Sequence, residues 1–210
     1  MKKQDVICLQ SDFFKSNGFD LNHSQLFFEK VYPHGKQVVY VHFVEGSDES
    51  WVEYHLGIRI NEVEELVRKY LPTPDQYANQ SLTLVQTPHN LGKFYPRRIR
   101  ITNDKQLSEL LYSIENFFLM TGFNWLNQMI NPIILEKEFL NHKEDPFEVY
   151  NMVESAFRST ALSKLYNPED YPVLRQSFLE RINSEEMTPF TIAAFLQFLN
   201  YLDNMKSVAA

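Results

Sequence analysis

Cysteine is nearly missing from this chain. Cys8 is the only one among 210 residues, so no intramolecular disulfide and no cysteine-based metal cluster can form, and the usage fits a reducing compartment. Cys8 itself, beside Val6, Ile7 and Leu9, reads as a small buried apolar side chain. Glycine is also scarce, at 6 residues, which argues against a low-complexity or disordered chain. Positive charge is in deficit: the formal net charge is -7 and the sequence pI about 5.4. That balance opposes general nucleic-acid binding, which needs a positive field. No run approaches the roughly 18 uninterrupted apolar residues of a membrane span. The opening "MKKQDVICLQSDFF" lacks the continuous apolar stretch of a signal peptide, so a cytoplasmic protein is expected.

Aromatic residues, in contrast, are plentiful, with 17 Phe and 11 Tyr. Together with 44% hydrophobic residues they supply ample material for a core.

From Lys3 to Ser16, Val6, Leu9, Phe13 and Phe14 recur at helical spacing, and Asn17-Gly18 supplies a left-handed stop. Between Ser24 and Asn61 the pattern changes to alternation in three runs, "QLFFEKVY", "QVVYVHFVE" and "SWVEYHLGIRI", separated by "PHGK" and "GSDE" turns. This predicts an antiparallel meander in which Tyr32 faces Gln37, His42 faces Glu53 and Tyr40 faces His55. Asn61 and Glu64 have the spacing of a capping box before a helical stripe that ends at "PTP". Strands near 81–87 and 96–102 extend the sheet, with "TPHNLGKFYP" between them as an irregular loop.

After Asn103 the signal is helical. Asn131-Pro132, Asp145-Pro146, Asn167-Pro168 and Thr188-Pro189 each place a capping residue before proline and mark helix starts. The final segment carries Phe190, Ile192, Phe195, Leu196, Phe198, Leu199, Tyr201 and Leu202 around most of its circumference, so it is either central to a bundle or docked on a partner, such as a second copy in a homodimer. The expected fold is α+β: an antiparallel sheet of about five strands with helices on one face (1–130), followed by a helical subdomain packed on it (131–210).

One face of the meander is almost wholly apolar. The other carries Phe27, Glu29, Val31, Tyr40, His42, Trp51, Glu53, His55 and Arg59, and Arg98 and Arg100 in "YPRRIRI" alternate so that both can project toward it. An ordinary solvated sheet face accounts for cross-strand pairs such as His42 with Glu53. Solvated faces are rich in Lys, Thr and Ser, however, whereas aromatics with histidine and arginine are the composition of interfaces and pockets. Arginine forks suit a carboxylate or phosphate, unless the chain's own acids claim them. His42, His55, Glu53 and Glu29 are ligand types that zinc accepts, but no motif fixes a metal geometry, and no cofactor is expected. Phosphate loops, dinucleotide fingerprints and nucleophile elbows are all missing from the sequence.

The order of a helix with an "NGF" stop, three strands, "HLGIRINEVEEL" into a helix, and further strands before "LMTGFNWLNQM" resembles uncharacterised bacterial families found among immunity proteins of contact-dependent toxin systems. The resemblance covers roughly Val6 to Met129 and implies an intracellular protein that binds another protein. The expected function is therefore non-enzymatic protein binding through Tyr40, His42, Trp51, Glu53, His55, Arg59, Arg98 and Arg100. The alternative is a small-ligand binder or enzyme that uses the same His, Glu and Arg side chains in a pocket.

Overall fold

The computed structural model describes residues 3–71, 79–92, 95–141, 152–181 and 188–205. The fold is α+β. Helix α1 (Lys3–Ser16) is followed by β1 (Asp20–Asn22), β2 (Phe27–Tyr32), β3 (Gly35–Glu45), β4 (Ser50–Ile60), α2 (Asn61–Arg68), β5 (Leu84–Gln86), α3 (Pro88–Leu91) and β6 (Ile99–Ile101). Helices α4 (Asp104–Phe117), α5 (Phe123–Met129), α6 (Pro132–Asn141), α7 (Met152–Tyr166), α8 (Tyr171–Arg181) and α9 (Pro189–Asn204) complete it. Contacts gather the chain into two compact units, one of Met1–Arg59 with Leu84–Ile130, the other of Ile60–Thr83 with Asn131–Ala210.

In the first unit the strands run β1-β2-β3-β4-β5, with β6 also paired to β4, and every registered pair is antiparallel. Strand β4 is long enough for β5 to occupy its Leu56–Ile58 stretch while β6 takes Ser50–Val52. The β2–β3 hairpin is tighter than the alternation predicts: Tyr32 pairs with Gly35 and Gln37 with Lys30, because Pro33-His34 alone make the turn. The slip is two residues, so each side chain keeps its face. Short strand β1, too brief to show a period, was not foreseen.

The apolar face buries Phe28, Val39, Val41, Val52, Tyr54, Leu56 and Ile58, and α1 lies against it. Phe14 stacks on Phe28 with ring centroids 4.3 Å apart, and Tyr54 donates to Gln10 Oε1 at 2.6 Å. Burial pushes the Tyr54 phenol well above its ordinary pKa. The buried side of α1 is Val6, Ile7, Gln10 and Phe14, which corrects two expectations: Cys8 and Leu9 both point outward and are exposed. Gln10 holds the inner face because Tyr54 needs a partner there, a demand no hydropathy pattern displays. Helix α1 stops as expected: Gly18 takes φ +83°, its N–H donates to the Lys15 carbonyl, and the Phe19 N–H reaches back to Phe14.

Between α4 and α5, Phe118–Gly122 form one π-helical turn. A Cβ on Gly122 would sit 2.7 Å from the Phe118 ring and 3.0 Å from that of Phe117, both buried, so the turn needs glycine. The loop foreseen after Thr87 contains α3, with the Thr87 hydroxyl accepting from the Asn90 N–H.

In the second unit α7 touches α2, α6, α8 and α9, and residues 155–163 are buried without a break. As one of two alternatives, the other being a docked interface, the sequence offers α9 that central position. Helix α7 takes it because Ser155, Ala156, Ser159, Thr160, Ala161 and Ser163 are small enough for close approach on all sides, and Thr160 Oγ1 satisfies itself on the Ala156 carbonyl at 2.7 Å. Helix α9 buries Phe195, Phe198, Leu199 and Leu202 but exposes Phe190, Leu196 and Tyr201.

Asn131 and Thr188 cap α6 and α9 as expected. Asn167 does not cap α8, whose first turn instead hangs on the Asp170 carbonyl three residues later. The Asn167 amide is spent on Glu136 and Asp170. Asp145-Pro146 lies outside the described residues. The Asn61 capping box is not made: Asn61 is already inside α2, and the Glu64 carboxylate accepts from Arg158 instead.

Candidate functional site

Alternation along β4 sends Trp51, Glu53 and His55 to the mixed face of the sheet. Strand β6 runs antiparallel beside it with Arg100 opposite Trp51, and the bend at Arg97 and Arg98 brings two more guanidiniums to Glu53. Glu53 is only 4% exposed and its carboxylate is filled: Arg98 Nε donates to Oε2 at 2.9 Å, Arg97 Nε to Oε1 at 3.2 Å, and His55 Nε2 stands 3.3 Å from Oε1. Burial pushes the Glu53 carboxyl up, but the Arg98 and Arg97 hydrogen bonds and the neighbouring His55 outweigh it and hold the pKa below its ordinary value. At His55 burial is the leading influence and lowers the pKa. Glu53 opposes it, while His42, Arg97 and Arg98 reinforce it. Glu53 is therefore a saturated anion, poorly suited to accept a proton in catalysis.

A second cluster adjoins the first. Glu49 accepts from Trp51 Nε1 at 3.2 Å and pairs with Arg100, and the turn carrying Glu49 is closed by the Gly46 N–H on the Glu49 carbonyl. Beside it, Gly46–Ser50 and Ile101–Asp104 line a pocket of about 240 Å³. Farther along the sheet the Phe27 and Tyr40 rings meet at a tilt with centroids 4.8 Å apart, with Lys36 Nζ 5.3 Å from the Phe27 ring and 2.9 Å from Glu29. Burial, with Glu29 nearby, raises the Tyr40 pKa.

The eight residues singled out from the sequence thus divide. Glu53, His55 and Arg98 form one cluster, and Trp51 and Arg100 share Glu49. Tyr40 pairs with the tilted Phe27 ring, and His42 is exposed. The histidine in contact with Glu53 is His55. Arg59 is buried, and so is withdrawn from the exposed part of the face. Arg97 was missed because strict alternation turns it away from this face; the three arginines packed into "RRIR" were the available signal. Among the described residues no group of three or more His, Cys, Asp or Glu stands where it can hold a metal ion, and no helix is long and apolar enough to cross a membrane. No family model matches the sequence, and no curated protein or solved structure matches it.

Proposed function

We propose that this chain is a non-enzymatic, cytoplasmic protein-binding protein of the immunity-like kind, and that it recognises its partner with the mixed sheet face around Trp51. One observation carries the reading. Trp51 and His42 are exposed on the strands, Trp51 stands opposite Arg100, whose guanidinium is held by Glu49, and Arg97 and Arg98 at the neighbouring bend are held by the buried Glu53, so large recognition groups are presented by partly fixed side chains. Preorganised aromatic and arginine side chains are the groups on which interface energy concentrates, because little side-chain entropy remains to be lost on binding. The saturation of Glu53 weighs against the enzymatic alternative.

The test is the pair of substitutions Trp51→Ala and His42→Ala in one chain. Trp51 is 37% exposed and donates to Glu49, so its loss costs some stability, and binding is compared at a temperature where far-UV ellipticity shows both chains folded. Loss of a central Trp typically costs an interface about 2 kcal/mol or more, roughly 30-fold in affinity. A partner retained at full occupancy by this variant would overturn the proposal.

A further inference from the structure

The three arginines of this face are held in an unusual way. Arg97 and Arg98 each donate only their Nε to Glu53, and Arg100 meets Glu49 through Nε as well. Their side chains remain 55%, 61% and 60% exposed, and no hydrogen bond within the described residues engages any of their Nη atoms. A guanidinium bound through Nε keeps its outer Nη edge free in a fixed plane, and that edge is the one that grips a carboxylate. Among the described residues three guanidiniums share the two carboxylates of Glu53 and Glu49, so one positive charge is left over within these ion pairs on a chain of net charge -7, with Asp48 and Asp104 lining the adjoining pocket.

We propose that Arg97, Arg98 and Arg100 form an acid-reading edge that takes Asp and Glu side chains from an acidic segment of a partner protein. The inference rests on the protein-binding reading above and deepens it by naming the partner's chemistry. Charge complementarity selects that occupant. A long polyanion such as nucleic acid would be repelled by the rest of this acidic chain, because the repulsion adds up over its whole length. A short acidic segment touches only the basic edge. Trp51 lies directly opposite Arg100 in the β4–β6 register and supplies an apolar surface for the segment's backbone and stems.

Fluorescence anisotropy of the full chain against a labelled peptide of eight glutamates tests it, with an uncharged Gly/Ser octapeptide, a single-stranded oligonucleotide and inorganic phosphate as competitors. The glutamate peptide should bind at low salt, should weaken at least tenfold between 50 and 300 mM NaCl, and should not be displaced by the competitors. Arg97→Ala with Arg100→Ala leaves the Arg98–Glu53 bond in place, so the buried carboxylate stays paired and the fold is kept. That variant should lose at least tenfold in affinity. Arg98→Lys, which keeps charge but loses the fork, should fall between.

No binding of the glutamate peptide, or unchanged affinity in the double variant, overturns the inference. Preference for the oligonucleotide or for phosphate overturns it as well and reassigns the edge. Self-association abolished by the double variant would assign the edge to a second copy of the chain and refute an acidic hetero-partner. If the Arg97/Arg100 variant still holds a partner that the Trp51/His42 variant releases, the acid-reading edge fails while the protein-binding reading stands.

Discussion

Arg158 is the residue whose loss the second unit should feel most. Its guanidinium donates from Nε to Glu64 Oε1 at 2.9 Å, from Nη2 to Glu64 Oε2 at 3.1 Å and from Nη1 to Glu154 Oε2 at 2.7 Å. The side chains of Arg158 and Glu64 are 8% and 2% exposed, so α2 and α7 are joined by a bidentate ion pair with almost no solvent. Arg158→Met keeps the stem and removes the charge, which leaves the Glu64 carboxylate buried without its fork. Breaking such a pair costs about 3–5 kcal/mol. The lower end applies here, because a small pocket of about 50 Å³ beside Glu64 and Arg158 can admit water to the orphaned carboxylate. Glu154, already partly exposed, turns to solvent and adds at most about 1 kcal/mol.

The double variant Glu64→Leu with Arg158→Met replaces both charges by apolar groups of similar size. It should recover most of the loss, to within about 1 kcal/mol of the parent. Urea unfolding followed by far-UV ellipticity measures both. Tryptophan fluorescence reports only the first unit, because Trp51 and Trp125 both lie in it. A single variant costing under about 1 kcal/mol, or a double variant as unstable as the single, would refute the claim that burial rather than pairing sets the energy.

Gly122→Ala puts a methyl group into the Phe118 ring, and overpacking at about 1–3 kcal/mol exceeds the roughly 1 kcal/mol that alanine gains in helix propensity. The unfolding temperature should fall by several degrees; a rise would show that the π turn relaxes freely. Glu136 is buried, and burial raises its pKa above the ordinary value despite the Asn167 hydrogen bonds. Its charged form is therefore penalised in the folded state. The penalty is present above the folded pKa and gone below the unfolded one. Glu136→Gln should raise the unfolding temperature at pH 7 and lose that advantage as the pH falls toward 4. An equal shift at both pH values would contradict the assignment.

The sequence made the sheet legible because one face is buried and the other is not, and a two-residue period records that difference directly. A slip of two residues at Pro33-His34 left the faces intact for the same reason. The end of α1 was equally readable, since Gly18 is required by its positive φ.

What escaped has a common cause. Gln10, Glu64, Arg158 and the small polar residues of α7 are buried through specific partners or close approach, and hydropathy registers neither. Apolarity alone places Cys8 and Leu9 inward, while the helix turns its other side, with Gln10, toward Tyr54. At the candidate site the residue types were visible in the alternation. The convergence of Arg97 and Arg98 on Glu53 was not, because it depends on the bend that precedes β6.

The role proposed for the Trp51 face is protein binding. A native mass spectrum of the chain isolated without a metal-affinity tag, compared with its Trp51→Ala/His42→Ala variant, addresses it most directly. A protein-binding Trp51 face carries a stoichiometric protein partner on the parent chain that is missing from the variant, with both chains folded by far-UV ellipticity. A bound metal or metabolite lost on substitution, or a partner held equally by both chains, would contradict it.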